Sequence, residues 1–391
     1  MSIRFAVTHV TISAATIAAL VATSTTTAHA STCPAPTQGA AVVVPGHPFA
    51  VAATDDNCLA FVSLETGKNR GAIAVLRNDS GRFAVAGTVE VEHNVFGASL
   101  IRNGGLLAVA AGDDTAVFDV AALARGDAKA LRGMLHDGAH AGAIYTAVDK
   151  DEKLLFVSEE NEKRVSVFDL GKVRGGDFRD DALIGRVRTA AAPVGLAVSP
   201  DGRWLYATNE VGPATSRNSA ECEPEMSRER KHGPGLLVRI DIEKAVSDPS
   251  NAVASALPAG CNPVRVAASA KEVWVSARGG DQLLRFHVAD WVAGSGNAAV
   301  QKYPIGAAPI GVAIRPDGKQ VWTALSNRFG RDKNAKGELA GLALRADGAA
   351  SSAMSVPAKG FPRELIFLPD RRTLVATLFD AQQVEFVPTP D

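Results

Sequence analysis

One phrase recurs along the chain and limits what it can fold into. "VGLAVSPDGRWLYATNE" (Val194 to Glu210) returns as "IGVAIRPDGKQVWTALSN" (Ile310 to Asn327). In each, two apolar runs flank Pro-Asp-Gly: Pro presets φ, Asp caps the turn and Gly accepts a positive φ, so the phrase is predicted to be a β-hairpin. Aligned on this hairpin, seven copies appear, beginning near His47, Val95, Gly142, Pro193, Pro263, Pro309 and Pro362. Their spacing is close to 47 residues, apart from about 70 between the fourth and fifth. Two related domains would give two copies; seven argue for a short structural repeat.

After each hairpin comes a third strand-like run, as in "RVSVFDL" (Arg164 to Leu170), "GLLVRIDI" (Gly235 to Ile242) and "QLLRFHV" (Gln282 to Val288), and then a fourth, such as "ALIGRVRTA" (Ala182 to Ala190). Four short strands per repeat describe one propeller blade. A blade cannot bury both of its faces alone, so the copies must pack side by side, and an apolar content of 46% suffices for the continuous core this requires. The seventh copy has only three strands, ending in "QQVEFVP" (Gln382 to Pro388), while "GAAVVVPG" (Gly39 to Gly46) stands before the first hairpin without a partner. Residues Ala40 to Val44 are therefore predicted to complete the last blade and close the ring, which removes two exposed sheet edges. The expected fold is all-β, a single seven-bladed β-propeller over residues 31–391, with a polar loop insertion from Val211 to Gly235 broken by Pro213, Pro224 and Pro234.

The first thirty residues fall outside that fold. Arg4, the apolar stretch Val10 to Val21 and the Ala28-His29-Ala30 cleavage pattern read as a secretory signal peptide, so a secreted or periplasmic chain with no membrane span is expected. Once the signal and Arg4 are gone, 40 Lys plus Arg face 42 Asp plus Glu, a balance that disfavours nucleic acid as a partner. Four cysteines remain for an oxidising compartment. Three pairings are possible, and the two local ones, Cys33 with Cys58 and Cys222 with Cys261, are favoured; no C-x-x-C spacing supports a metal site.

"PDGRWLYATN" resembles the YVTN-type repeat, and the spacing of the seven copies is similar to that of the lactonase-like propellers, the group that includes bacterial 6-phosphogluconolactonase and fungal carboxymuconate cyclase. "YATNEV" (Tyr206 to Val211) is similar to that family's Asn-Glu segment, which implies an active-site carboxylate at Glu210. "VSARGGDQLLRF" (Val275 to Phe286) is similar to its Ser-Asn-Arg-Gly-His-Asp segment, which implies an active-site guanidinium at Arg278. Both lie at the ends of predicted second strands, and such ends converge on one rim of the channel. The sequence also departs from the family: Val194 stands where members carry an Arg, and Ile144 where they carry a His, with His140 four residues earlier.

Glu159, Asn209, Asn327 and Arg328, together with Asp113, Asp114, Glu160 and Asp380, occupy comparable strand ends and are expected either as a solvated rim or as a polar binding surface with His140. Trp204, Trp274 and Trp322 fall at matching second-strand positions, which suits packing between blades. No cofactor is predicted, since no Walker loop, G-x-S-x-G elbow, H-x-H pair or helical H-x-x-x-H occurs; His136 and His140 sit in a Gly- and Ala-rich loop, and "ERKHGPG" (Glu229 to Gly235) reads as solvated. The leading expectation is a monomeric binding or accessory protein that holds a small polar ligand or a protein partner at one channel rim with the help of the insertion. The rival is an enzyme opening a lactone, with Glu210 as acid or base and Arg278 as anion clamp.

Overall fold

A computed structural model of the protein describes Met1 and residues 32–36, 38–103, 105–178, 180–213, 222, 233–291, 300–327, 337–345 and 349–390. The proposed signal after Met1, Arg328 and most of the insertion lie outside these residues. From Thr32 to Asp391 the chain is one compact unit.

Seven four-stranded antiparallel sheets follow one another around a ring. Their first strands are His47–Ala53, Ala98–Ile101, Ala143–Val148, Ala191–Val198, Pro263–Ala268, Pro309–Ile314 and Pro362–Phe367, and neighbouring first strands touch around the central axis. In six blades the strand order is the chain order; in the seventh it is Ala40–Val43, Gln383–Pro388, Thr373–Leu378, Pro362–Phe367, so the N-terminal strand supplies the missing edge. Ala40 pairs with Phe386 and Val43 with Gln383. The Val44 amide continues the ladder to Gln382 O (2.9 Å), and Phe83 of blade 1 stacks on Phe386 with ring centroids 4.3 Å apart.

The core sits between blades, as the repeat requires. Phe61, Ile73 and Val75 of blade 1 pack on Leu107, Val109 and Phe118 of blade 2, while the opposite face of blade 1, with Val62, Leu64 and Ala74, meets Val375, Val384 and Phe386 of blade 7. Second strands are buried on both faces; all six residues of Leu106–Ala111 are buried.

The hairpin turns form as their residues dictate. Gly202 and Gly318 have φ of 74° and 72°. Asp201 accepts from the Arg203 amide (3.1 Å) and Asp317 from the Lys319 amide (2.9 Å). In blades 2, 3 and 4 the third strand ends in an Asp that caps a short helix absent from the sequence expectation: Asp119 accepts from Ala122 N (2.8 Å), Asp169 from Gly171 N (2.7 Å) and Asp241 from Lys244 N (3.1 Å). These helices, Val120–Ala124, Leu170–Arg174 and Ile242–Ser247, link third strands to fourth.

A local irregularity in the first strands shapes the channel. Six of the seven first strands shift register against the second strand near their start, between Pro48 and Ala50, Ala143 and Tyr145, Pro193 and Leu196, Pro263 and Arg265, Pro309 and Val312, and Pro362 and Leu365. Such a bulge re-aims side chains. A second-strand hydroxyl accepts from the displaced amide and donates to the next blade. Thr208 Oγ1 accepts from Gly195 N (2.9 Å) and donates to Val264 O (3.2 Å); Ser63, Ser158, Ser276 and Thr377 donate likewise to Phe96 O, Val194 O, Ile310 O and Phe49 O. The Thr of the Ala207-Thr208-Asn209 phrase is thus a staple between blades.

Trp204 does not share the strand position of Trp274 and Trp322. Trp274 and Trp322 are fully buried, with indole N–H groups donated to Glu272 (2.9 Å) and Gln320 (3.0 Å). The blade 4 residue in register with them is Tyr206. Trp204 lies two positions earlier, half-buried at the start of its strand, with the guanidiniums of Arg203 and Arg239 4.6 and 4.4 Å from its ring.

Candidate functional site

Second-to-third strand turns and the connections from one blade to the next emerge on the same rim, and that rim gathers the predicted residues. Glu210 is the penultimate residue of the second strand of blade 4, Trp204–Val211; Arg278 directly follows that of blade 5, Glu272–Ala277. The two meet across the blade boundary, with Arg278 Nη2 3.4 and 3.3 Å from Glu210 Oε1 and Oε2 and both side chains mostly shielded from solvent.

The placement of Arg278 is built locally. Its amide donates to Asn262 O (3.0 Å), the next amide donates to Cys261 O (3.0 Å), and Asp281, at φ 54°, closes the turn. Cys261 is bonded to Cys222, so the disulfide anchors the insertion beside this turn. The neck of the insertion is pinned as well by a bridge between Gly212 and Gly233. Cys33 is bonded to Cys58. Both pairings suit an oxidising, extracytoplasmic compartment, and among the described residues no helix is long and apolar enough to cross a membrane.

Three further residues occupy the channel at the bulge position, two residues after the Pro at the start of the hairpin or its equivalent. Around the ring that position holds Ala50, Gly97, Tyr145, Gly195, Arg265, Gly311 and Glu364, so the large side chains come from blades 3, 5 and 7 and small ones lie between them. Gly97 is required: a Cβ there would sit 2.5 Å from the Tyr145 ring. Arg265 donates from Nε to Glu364 Oε2 (2.9 Å) and from Nη1 to Val264 O (3.1 Å), and its guanidinium lies 4.5 Å from the Tyr145 ring centre. Burial alone would lower the Arg265 pKa; Glu364, Tyr145 and, more weakly, Glu210 outweigh it and raise it. Burial, then the Glu364 charge, pushes the Tyr145 phenol well up. Arg363 lies over Phe49, 3.7 Å from its centre.

Val194, where the resemblance expects an Arg, packs with Val264, Ile310 and Phe361 in an apolar collar that also touches Ile144, where it expects a His. His140 is exposed, in the connection between blades 2 and 3, at φ 62°.

The other rim residues separate by role. Asn209 is fully buried and donates its side-chain amide to Thr189 Oγ1 (3.0 Å) and Ala190 O (2.7 Å), holding the connection into its own blade. Glu159 is also fully buried, bonded to Arg164 and Ser166. Burial raises its pKa against the opposing pull of those partners. Beside it lies Asp137, missed from the sequence, which accepts from Thr115 Oγ1 (2.9 Å) and whose pKa burial and the Glu159 charge raise well above the usual range. Asn327 follows its strand at φ 49°. Asp113 accepts from the Gly142 amide (3.2 Å), and with Glu160 and His93 it lines a cavity of about 440 Å³ on the same rim. A cavity of about 580 Å³ opens at the far ends of the first strands, among Val51, Leu100, Ile366 and Arg371.

A carboxylate facing a guanidinium, with its charge felt by a buried Arg-Glu-Tyr set, can hold a small anion, or move a proton beside one. The sequence missed Arg265, Tyr145 and Glu364. The available signal was their shared offset from the start of the repeat, at a position where other copies place Gly or Ala.

No protein-family model matches the chain, nor does any curated protein sequence. Solved structures share the fold. Kuenenia stuttgartiensis hydrazine synthase is 15% identical, with a TM-score of 0.65 over 88% of this chain and 96% of that one. The Pseudomonas aeruginosa periplasmic gluconolactonase PpgL is 21% identical, with a TM-score of 0.58 over 83% and 88%. The β-propeller domain of Myceliophteria thermophila Cps50 (Swd1) is 14% identical, with a TM-score of 0.59 over 87% and 96%. At these identities the likeness is one of fold, and the chain is an all-β seven-bladed propeller similar to a periplasmic lactonase among other propellers.

Proposed function

We propose that the protein is an extracytoplasmic binding protein that holds a small anionic ligand at the channel rim between Glu210 and Arg278. The observation carrying this reading is the meeting of those two side chains, 68 residues apart in sequence, across the boundary of blades 4 and 5. The guanidinium grips an anionic group and the carboxylate accepts from ligand hydroxyls. Thermal melts of the chain with D-gluconate test it: a midpoint that rises with ligand in the wild type but not in Arg278→Ala supports the site, and no rise in either removes it.

The likeness to a periplasmic gluconolactonase favours a second reading, lactone hydrolysis at the same two residues. Glu210 would take a proton from the attacking water, Arg278 would stabilise the carbonyl oxygen as it becomes negative, and Glu210 would return the proton to the ring oxygen as the C–O bond breaks. Losing one such stabiliser typically costs about 2.7–4 kcal/mol, and Val194 and Ile144 replace two expected polar groups, so hydrolysis is expected to be inefficient. Turnover of glucono-1,5-lactone above about 10 per second, abolished in Glu210→Gln, would establish the enzyme instead.

A further inference from the structure

We infer that the far mouth of the channel, at the opposite end of the first strands from Glu210 and Arg278, is a binding site for a small carboxylate with an apolar tail, and that Arg371 holds the carboxylate. This goes beyond the rim reading above and does not depend on it.

The cavity of about 580 Å³ there is lined by residues of blades 6, 7, 1, 2 and 3. Its walls are mostly apolar, and Val148, Ile366 and Phe367 stay partly exposed in it. Blade 1 leaves the room. Ala53 stands at the hairpin register that Leu100, Val148 and Phe367 occupy in blades 2, 3 and 7, so one copy places a methyl where three place large side chains. An apolar tail seated in that recess releases water from these surfaces.

The charged side chains lining the cavity are Asp55, Arg102 and Arg371. Arg102 Nε lies 2.6 Å from Asp55 Oδ2, so these two are matched. The Arg371 guanidinium has no hydrogen bond or ion pair among the described residues, and the carboxylate next to it in sequence, Asp370, accepts from the Arg372 and Thr373 amides (2.9 and 2.8 Å) and the Thr373 hydroxyl. Its backbone adds a second, independent sign. Arg371 has φ 62°, in the turn position that Gly202 and Gly318 fill in blades 4 and 6. Asn57 and Glu152 hold the same position in blades 1 and 3, but both use their side chains inside the fold: Asn57 donates to Pro34 O (3.3 Å), and Glu152 accepts from the Arg102 and Asn103 amides (3.0 and 2.6 Å). Arg371 bears the same backbone cost without such a bond, as a residue kept for a ligand does. A forked guanidinium at the lip of an apolar recess suits a carboxylate on an apolar tail.

Calorimetric titration of the full chain with octanoate, acetate and 1-octanol separates head from tail. Octanoate is expected to bind at least tenfold more tightly than either, since each buried methylene tightens binding by up to about fourfold and hydrogen bonds to a charged group by about tenfold or more. Arg371→Gly gives the turn the residue of blades 4 and 6, so it should melt close to the wild type and yet lose at least tenfold in octanoate affinity. Ala53→Phe, which copies Phe367, should abolish octanoate binding while the circular dichroism spectrum stays that of the wild type. Octanoate affinity unchanged in Arg371→Gly, or equalled by 1-octanol, overturns the guanidinium as its anchor. Acetate binding as tightly as octanoate, or a folded Ala53→Phe that binds octanoate as the wild type does, overturns the apolar recess. A wild type that binds none of the three overturns the site, and leaves the rim reading to its own test with gluconate and Arg278→Ala.

Discussion

Single residues at this rim do different work under similar sequence signatures. Glu159 and Glu210 both lie near the end of a second strand, yet Glu210 reaches across to the next blade while Glu159 turns inward beneath Arg164 and Ser166. The sequence shows strand ends, not which way the following turn carries the side chain. Asp137 was invisible for a related reason, since a lone Asp before Gly-Ala-His reads as loop. Its burial gives a prediction with a definite sign. The folded chain holds the Asp137 proton more tightly than the unfolded chain does, because burial and Glu159 raise its pKa, with Asp114 adding to and Thr115 and Arg186 opposing that shift. Stability therefore falls as pH rises from the ordinary carboxylate range through the raised pKa. Asp137→Asn removes the titration and keeps an oxygen for Thr115. Its stability relative to wild type, from urea denaturation at pH 4.5 and pH 8, should improve toward the higher pH; an equal difference at both would show that Asp137 is not held protonated.

At the scale of the strand, the repeat was legible because its chemistry is local: each copy shows apolar runs flanking a short polar turn, Asp-Gly in blades 4 and 6, and the copies are evenly spaced apart from the insertion. What those copies put into the channel was not, because Tyr145, Arg265 and Glu364 meet only after the bulge re-aims them and the ring brings blades 3, 5 and 7 face to face. The hydroxyl staple lies between these cases, since its Thr or Ser is legible and its partner in the next blade is not. Thr208→Val keeps the shape and removes both bonds, leaving the buried Gly195 amide and one acceptor position on Val264 unmet. The expected cost is about 1–3 kcal/mol in a denaturant melt, with the denaturant slope unchanged. A cost under about 0.5 kcal/mol would mean that backbone contacts alone hold the blades together.

For the whole molecule, stability is a property of the closed ring, since seven hydrophobic clusters are each shared by two blades, the apolar collar joins more, and none belongs to one. Closure depends on Ala40–Val43 pairing with Gln383–Phe386, and three other contacts reinforce it: the disulfide from Cys33 to Cys58, the Thr377 bond to Phe49 O, and His47 Nδ1 at 2.9 Å from Phe379 O. The disulfide and the strand can be separated by experiment. Replacing Cys33 and Cys58 with Ala reopens a loop spanning 25 residues and should cost about 3 kcal/mol while leaving the strand paired. Removing residues 32–44 takes the disulfide, the outer strand of blade 7 and the Val44 contact with blade 1 together, and exposes the Phe83–Phe386 stack. That chain should lose considerably more than 3 kcal/mol and melt less cooperatively, because an open ring lets blades 7 and 1 separate before the rest. Equal losses in the two variants, measured by denaturant melts under non-reducing conditions, would assign closure to the disulfide alone and make the N-terminal strand a passenger.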